Sequence, residues 1–255
     1  MTTHLREAGE FCWINMLSPD LPATKSFFAE VLGWTYGEIP GVGYTILVGG
    51  RAVGGLFDLN GPMTPPGTRA QIGVMIKSAA LEATSASITA AGGRALAPMV
   101  VGDRTRMVVA HDCNGAAFDL FESASSAGID VDPASHGAPS WFEGITSDLT
   151  RAEKFYAEVF GWTTKHMPMG EFEYTTFHIG EKSIAGMMPV AATKQEVPSS
   201  WATYFTVDDA DEAVRRATTL GATLCVGPHD IPGVGRFAGL LSPQGVMFHV
   251  IRYSR

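Results

Sequence analysis

A block of this sequence occurs twice. Residues 17–34, LSPDLPATKSFFAEVLGW, return as residues 145–162, ITSDLTRAEKFYAEVFGW, with Asp20/Asp148, Glu30/Glu158, Gly33/Gly161 and Trp34/Trp162 all 128 positions apart in a chain of 255. Self-similarity at half the chain length means an internal duplication, and it restricts the fold to two related halves built from the same supersecondary units. Whatever such a chain binds is held in two related but unequal halves.

The punctuation within each half is readable. A strand-like run at 11–17 (FCWINML) or 140–146 (SWFEGIT) is followed by a helix. In the first helix Asp20 can cap, Pro22 fits the opening turn, Phe27, Phe28, Val31 and Leu32 recur at helical spacing, and Gly33 is the stop. Asp148, Phe155, Tyr156, Val159, Phe160 and Gly161 repeat the arrangement. Glycine-broken strand pairs come next, and aligning 43–59 with 173–189 places Tyr44 over Tyr174, Val48 over His178 and Gly50 over Gly180. Loops at 60–68 and 191–200 close these blocks. The pattern then begins again, with strands at 70–76 and 201–207 and helices at about 79–91 and 209–220, the latter with Asp208 as its cap and Gly221 as its stop. Two further strands end each half, at 115–121 and 245–251. The reading is an α+β chain of four βαβββ units, with one domain at 10–123, a proline-punctuated linker at 124–139 and a second domain at 140–253.

Charge and composition exclude several classes. The net charge of −8 and the lack of any Lys/Arg run argue against a nucleic-acid partner. The N-terminal MTTHLREAGE has no apolar targeting region and no later segment is long and apolar enough to span a membrane, so the expected location is the cytoplasm, with no membrane partner. Cys12, Cys113 and Cys225 are odd in number and far apart, and read as core-filling thiols rather than a disulfide or zinc framework. Gly41–Gly43 and Gly54–Gly55 do not sit between a strand and a helix in dinucleotide-binding order, and no nucleophile elbow is present.

With these four units and the phrase Trp-Phe-Glu at 141–143, Ser-Asp at 147–148, Lys-Phe-Tyr at 154–156 and Val-Phe-Gly-Trp at 159–162, the chain resembles the vicinal oxygen chelate superfamily, which includes glyoxalase I, bleomycin-resistance proteins, fosfomycin-resistance enzymes and extradiol dioxygenases. It is similar in particular to tandem glyoxalase-like proteins of actinobacteria, and the likeness runs from about 10 to 253. The resemblance implies that paired units curl into two open-barrel domains, an internal pseudo-dimer with a ligand cup in each half. It also implies metal ligands, typically His, Gln or Glu, at the start of a unit's first strand and the end of its last.

Carried over position by position, that ligand set is poor. The first-strand positions are Trp13 and Trp141, and an indole nitrogen is a donor only. The second-unit positions are Gln71 and Ala202, the closing-strand positions Asp119 and His249, and among the intermediate units only Asp58 could donate. Zinc, iron or nickel sites want about three protein donors. The expectation is therefore no cofactor and no metal ligand, with a mixed site assembled from both halves as the route by which a divalent ion would be held.

Strand alternation puts Trp141, Glu143 and Ile145 on one face and Trp13, Asn15 and Leu17 on the corresponding one. Each offers an indole wall and one polar group, suited to a flat, mainly apolar molecule. The candidate catalytic residues are Glu143, a carboxyl costly to bury unpaired, and His249 on the closing strand. The candidate substrate-binding residues are Trp13, Asn15, Gln71, Asp119, Trp141, Tyr174 and His178. Either tryptophan fits a core plug as well as a ligand wall. The functional expectation is a protein, monomeric or homodimeric, that binds a small aromatic or carbonyl-containing metabolite and converts it by metal-independent proton transfer, in the manner of an isomerase, lyase or cyclase. A non-catalytic sequestering or resistance protein, and a divalent-metal glyoxalase or dioxygenase-like enzyme, stay open as alternatives.

Overall fold

A computed structural model describes residues 6–62, 64, 67–101, 105–123, 128–193 and 196–254. His4, residues 63, 65 and 66 of the first loop, 124–127 of the segment read as a linker, and 194–195 of the second loop lie outside the described residues.

The four units are all present. The first is β1 (Phe11–Ser18), α1 (Leu21–Leu32), β2 (Thr35–Ile39), β3 (Gly43–Val48) and β4 (Arg51–Asp58). In the second, β5 (Gln71–Lys77) and α2 (Leu81–Ala90) precede two short pieces, β6 (Arg94–Ala95) and β7 (Met99–Val101), then β8 (Thr105–His111) and β9 (Ala117–Ser123). The third is β10 (Pro139–Thr146), α3 (Leu149–Phe160), β11 (Thr163–Met169), β12 (Phe172–Ile179) and β13 (Lys182–Pro189). The fourth is β14 (Ser200–Thr206), α4 (Ala210–Thr219), β15 (Thr223–Ile231), β16 (Gly235–Leu241) and β17 (Met247–Tyr253). One sheet runs β2-β3-β4-β1-β5-β9-β8-β6, with β7 also on β8, and the other β11-β12-β13-β10-β14-β17-β16-β15. The fold is α+β, with two mixed sheets and sparse helices, as the resemblance implies.

The helix ends follow the sequence closely. Asp20 accepts from Ala23 N and Asp148 from Arg151 N, each at 3.0 Å, while Gly33 (φ 66°) and Gly161 (φ 69°) take the left-handed turn that only glycine adopts cheaply. The α4 cap is Asp209 rather than Asp208: Asp209 accepts from Glu212 N, and Asp208 pairs with His136 Nδ1 at 3.1 Å. Helix α2 has no capping side chain on its own N-cap residue; Glu122 of β9 accepts from Leu81 N instead.

Packing divides the chain differently from the sheets. One compact unit comprises residues up to 13, 74–128 and 141–202; the other comprises 14–73, 129–140 and 203–255. Each therefore takes one βαβββ module from each half. In the first unit α2 packs on α3, and its core holds Phe11 stacked on Phe142 (4.3 Å between centroids) and Tyr156 on Trp162 (4.9 Å). In the second α1 packs on α4, and Phe28, stacked on Trp34 (5.0 Å), meets Phe248 edge-on. The described part of the 124–139 segment is not a loose tether. Ile129 and Ala138 are buried, Arg51 pairs with Asp130, and Thr206 Oγ1 donates to Pro133 O.

Register corrects the internal alignment. Asn15 lies opposite Gly55 as Glu143 lies opposite Gly186, and these glycines face Thr45 and Thr176. Structurally, then, Thr45 matches Thr176, Leu47 matches His178 and Gly43 matches Tyr174, one residue away from the sequence alignment. A one-residue slip moves every side chain to the opposite face of a sheet. Tyr44 accordingly sits under the Lys25 ammonium of α1, 3.6 Å from its ring centroid, whereas Tyr174 lies on the face away from α3. The same reasoning applies to the second modules, where Met75 opposite Asp119 matches Tyr204 opposite His249, so Gln71 matches Ser200 rather than Ala202.

Of the thiols, Cys12 is buried and Cys113 half-buried, but Cys225 is exposed on β15 and fills no core.

Candidate functional site

The side chain of Glu143 is the most unusual in the first compact unit. Strand β10 buries Phe142 toward the helix side and turns Trp141 and Glu143 to the other. Glu143 is 5% exposed. Its Oε2 accepts from Tyr174 Oη at 2.7 Å and from Trp141 Nε1 at 3.2 Å, and the same indole N–H is 3.1 Å from Tyr174 Oη. Its Oε1 is buried with no hydrogen-bond partner among the described residues. Burial pushes the carboxyl up to about 8, against the lowering pull of the Tyr174 and Trp141 hydrogen bonds. At neutral pH the group is thus mainly the acid, with Oε2 accepting two bonds and Oε1 left to carry the proton.

A glycine makes this arrangement fit. A Cβ at Gly186, directly opposite Glu143, would overlap the Tyr174 hydroxyl and the ring carbon that bears it. On the far side of Gly186 stands Thr176, whose Oγ1 lies 2.9 Å from His178 Nε2 and 3.3 Å from the carbonyl oxygen of Lys165. The other ring nitrogen, Nδ1, is buried with no hydrogen-bond partner among the described residues. Burial, and then the Lys165 charge, lower the His178 pKa and keep the ring neutral. One face of this sheet therefore carries a buried acid with a free oxygen and a buried imidazole with a free nitrogen.

In the other compact unit His249 is half-buried. Its ring stacks on Tyr204 (4.8 Å, 21°) and lies over Gly239, where a Cβ would come within 3.0–3.1 Å of it. Nδ1 is covered and unpaired, and burial lowers the pKa to about 4. The ring keeps some solvent contact, and the shift favours the neutral imidazole. Glu143 and His249 belong to different compact units.

The remaining candidates are dispersed. Trp13 is half-buried, stacks on Phe121 (6.2 Å, 9°) and packs against Cys12, Met75 and Phe121. Asn15 has a buried, unpaired Oδ1 beside Gly73 and opposite Gly55. Over Gly55 lies the ring of Phe57, and where the other copy has Tyr174 this one has Gly43, itself pressed against Phe57. A phenyl thus takes the space used in the other copy by a hydroxyl-bearing ring. Gln71 is exposed, Asp119 is half-buried opposite Met75 and Val109, and exposed Asp58 accepts from Asn60 N in a turn. Gly186 and Thr176 were not singled out from the sequence. The signal was present in Gly55 and Gly186, since a glycine inside a strand marks a close approach.

These donors do not make a cation site. Among the described residues no three His, Cys, Asp or Glu side chains come together to hold a metal ion, and both first-strand ligand positions are tryptophan. No helix among the described residues is long and apolar enough to cross a membrane.

The sequence profile described as the Glyoxalase/Bleomycin resistance protein/Dioxygenase superfamily matches residues 139–250. The protein CFP32 of Mycobacterium tuberculosis is 30% identical over 247 residues, covering 94% of this chain and 93% of its own. The chain belongs to the glyoxalase/bleomycin resistance/dioxygenase superfamily. A second relative, the anthracycline biosynthesis protein DnrV of Streptomyces peucetius, is 30% identical over 258 residues, 95% of this chain and 93% of its own. Among solved structures, the Mn(II)-bound glyoxalase from Novosphingobium aromaticivorans superposes with a TM-score of 0.65 at 18% identity, over 96% of this chain and 82% of that one. At that identity the likeness establishes the superfamily fold alone.

Proposed function

We propose that this glyoxalase-like protein binds a flat, mainly apolar carbonyl compound at Glu143 and moves a proton on it without a metal ion. The observation that carries the reading is the free, buried Oε1 of an acid whose other oxygen is fixed by Tyr174 and Trp141. A desolvated carboxylic acid with one unused O–H is matched by a carbonyl oxygen entering beside it. In the acid form Glu143 gives its proton to that oxygen as the adjacent carbon loses one to a base, and the reverse transfer restores it, which is an enolisation or isomerisation. The base is an imidazole kept neutral by burial. His178, on the same face of the sheet as Tyr174 and Thr176, meets that description for a ligand at Glu143, and His249 belongs to the other compact unit. Trp141 and Tyr174 supply aromatic surface for the ligand. The kinship with a protein of anthracycline biosynthesis points to a planar hydroxyquinone as the substrate class.

Titration with 1,2-dihydroxyanthraquinone, followed by quenching of tryptophan fluorescence and by mass analysis of products from a panel of cyclic hydroxyketones, tests this. Saturable binding is expected, with turnover lost in Glu143→Gln and in His178→Phe. Wild-type turnover by Glu143→Gln would sink the proton-transfer role. Binding with no conversion across the panel would assign the protein to sequestration.

A further inference from the structure

We propose that Gly186 is a positioning residue for Glu143: lacking a side chain, it seats the Tyr174 hydroxyl on Oε2 and so fixes Oε1 as the oxygen offered to the ligand. The inference deepens the reading of Glu143 given above and rests on it for its functional meaning, though its geometry stands alone.

Three residues meet in one row across adjacent strands, Thr176 on β12, Gly186 on β13 and Glu143 on β10. Tyr174, two residues before Thr176 and on the same face, reaches over the bare backbone of Gly186 to place Oη 2.7 Å from Glu143 Oε2. Alanine at 186 would put a methyl where that hydroxyl and its ring carbon lie. The obstacle is the fixed end of a buried ring, so the ring itself must move away from the acid. Among the described residues no other group holds Oε2 as closely; Trp141 Nε1 is at 3.2 Å and shares its proton with Tyr174. Among the described residues no charged side chain acts on the carboxyl. Tyr174 of β12 and Trp141 of its own strand are the groups that influence it, and β13 presents Gly186 and Met188 on this face.

The duplicated copy shows that the glycine alone does not dictate this outcome. Gly55, opposite Asn15, also lacks room for a Cβ, but there the space belongs to the Phe57 ring. The same bare position serves a hydroxyl next to an acid in one copy and a phenyl next to an amide in the other. What Gly186 does is therefore specific to its pairing with Tyr174.

The test follows the ionisation of Glu143 in the full chain through Trp141, whose indole N–H touches the carboxyl, by tryptophan fluorescence against pH. Trp141→Phe identifies the part of the signal that belongs to this residue. Losing a hydrogen bond to the charged form raises a carboxyl midpoint by about one to two pH units. Gly186→Ala and Tyr174→Phe are each expected to produce that upward shift with the fold retained by circular dichroism. In a Tyr174→Ala background, where no ring remains to be struck, Gly186→Ala is expected to add no further shift, which also supplies a folded comparison should the single glycine variant fail to fold. A wild-type midpoint in Gly186→Ala, or shifts that add in the double variant, overturns the assignment. Because this readout needs no substrate, the positioning role and the proton-transfer reading fail independently: normal shifts with no turnover in any carbonyl panel would remove the second and leave the first.

Discussion

The indole Nε1 of Trp162 donates to the carbonyl of Gly9 at 3.0 Å, across 153 positions of sequence, and Trp34 makes the matching bond to Gly137 at 2.8 Å. Each repeat's helix-terminating Gly-Trp thus holds the lead-in glycine of the other repeat. With modules from both halves in each compact unit, neither half contains a complete core. Residues 6–123 produced alone are expected to give no cooperative monomeric melt, and co-production with 128–255 to restore one. A sharp melt from the isolated half, monomeric by size-exclusion, would contradict the interleaved packing.

Tyr156 donates to Asp112 Oδ2 at 3.0 Å and accepts from Trp201 Nε1 at 2.7 Å, all three residues being buried. Asp112 also closes a turn by accepting from Asn114 N and Ala116 N, and Ser242 opens the equivalent turn in the other copy. The corresponding set there is Phe28, Ser242 and Ile72, so the polar network has been exchanged as a whole. Tyr156→Phe strands two buried partners and is expected to cost about 1–3 kcal/mol. Adding Asp112→Ser should recover part of that loss. Urea midpoints of the single and double variants measure both, and a double variant less stable than the single one would refute the exchange.

Glu143 makes stability depend on pH in a stated direction. Its folded pKa of about 8 lies above the ordinary value of 4.5, so between the two the folded state keeps a proton that the unfolded chain has lost. Stability contributed by the acid form is complete below 4.5 and falls as pH rises through 8, by about 5 kcal/mol in all. The Glu143→Gln variant should lose this slope, seen as the difference in melting temperature between wild type and variant from pH 5 to pH 9. A constant difference across that range would count against a buried acid.

His249 acts in the opposite sense. Its folded pKa of about 4 lies below the ordinary 6.5, so the neutral ring favours the folded state above 6.5 and that contribution is lost as pH falls toward 4. His249→Phe should therefore flatten the acid limb of the stability curve between pH 6.5 and 4 and leave the alkaline limb to Glu143. An unchanged acid limb would show the ring to be freely hydrated.

Much of the scaffold was legible because its signals are local. Asp20 and Asp148 as caps, Gly33 and Gly161 as stops and the apolar helix faces each depend on neighbours a few residues away. The registers of β3 and β12 were not, because Gly49 and Gly180 both take the φ of 55° that opens their turns while the sequence offers a second glycine, Gly50, to align instead. That slip paired Tyr44 with Tyr174 although one faces a helix and the other an acid. Glu143 was visible as a carboxyl on an apolar strand. Its bond to Tyr174 was not, since the two meet only where three strands and a glycine come together. Asp208 lost the cap to Asp209 for a comparable reason, a partner at His136 that lies 72 positions away.

The interleaving has a consequence for how this molecule changes over time. A chain whose two cores each draw on both copies is in effect a heterodimer with its stoichiometry locked at one to one. Neither subunit can be lost, diluted or paired with itself, so each core keeps both copies under constraint as scaffold. The sheet faces that carry no such shared duty are released. Phe57 closes over Gly55 in one copy while Tyr174 meets Glu143 in the other, a division of labour that two identical subunits under one gene could not reach.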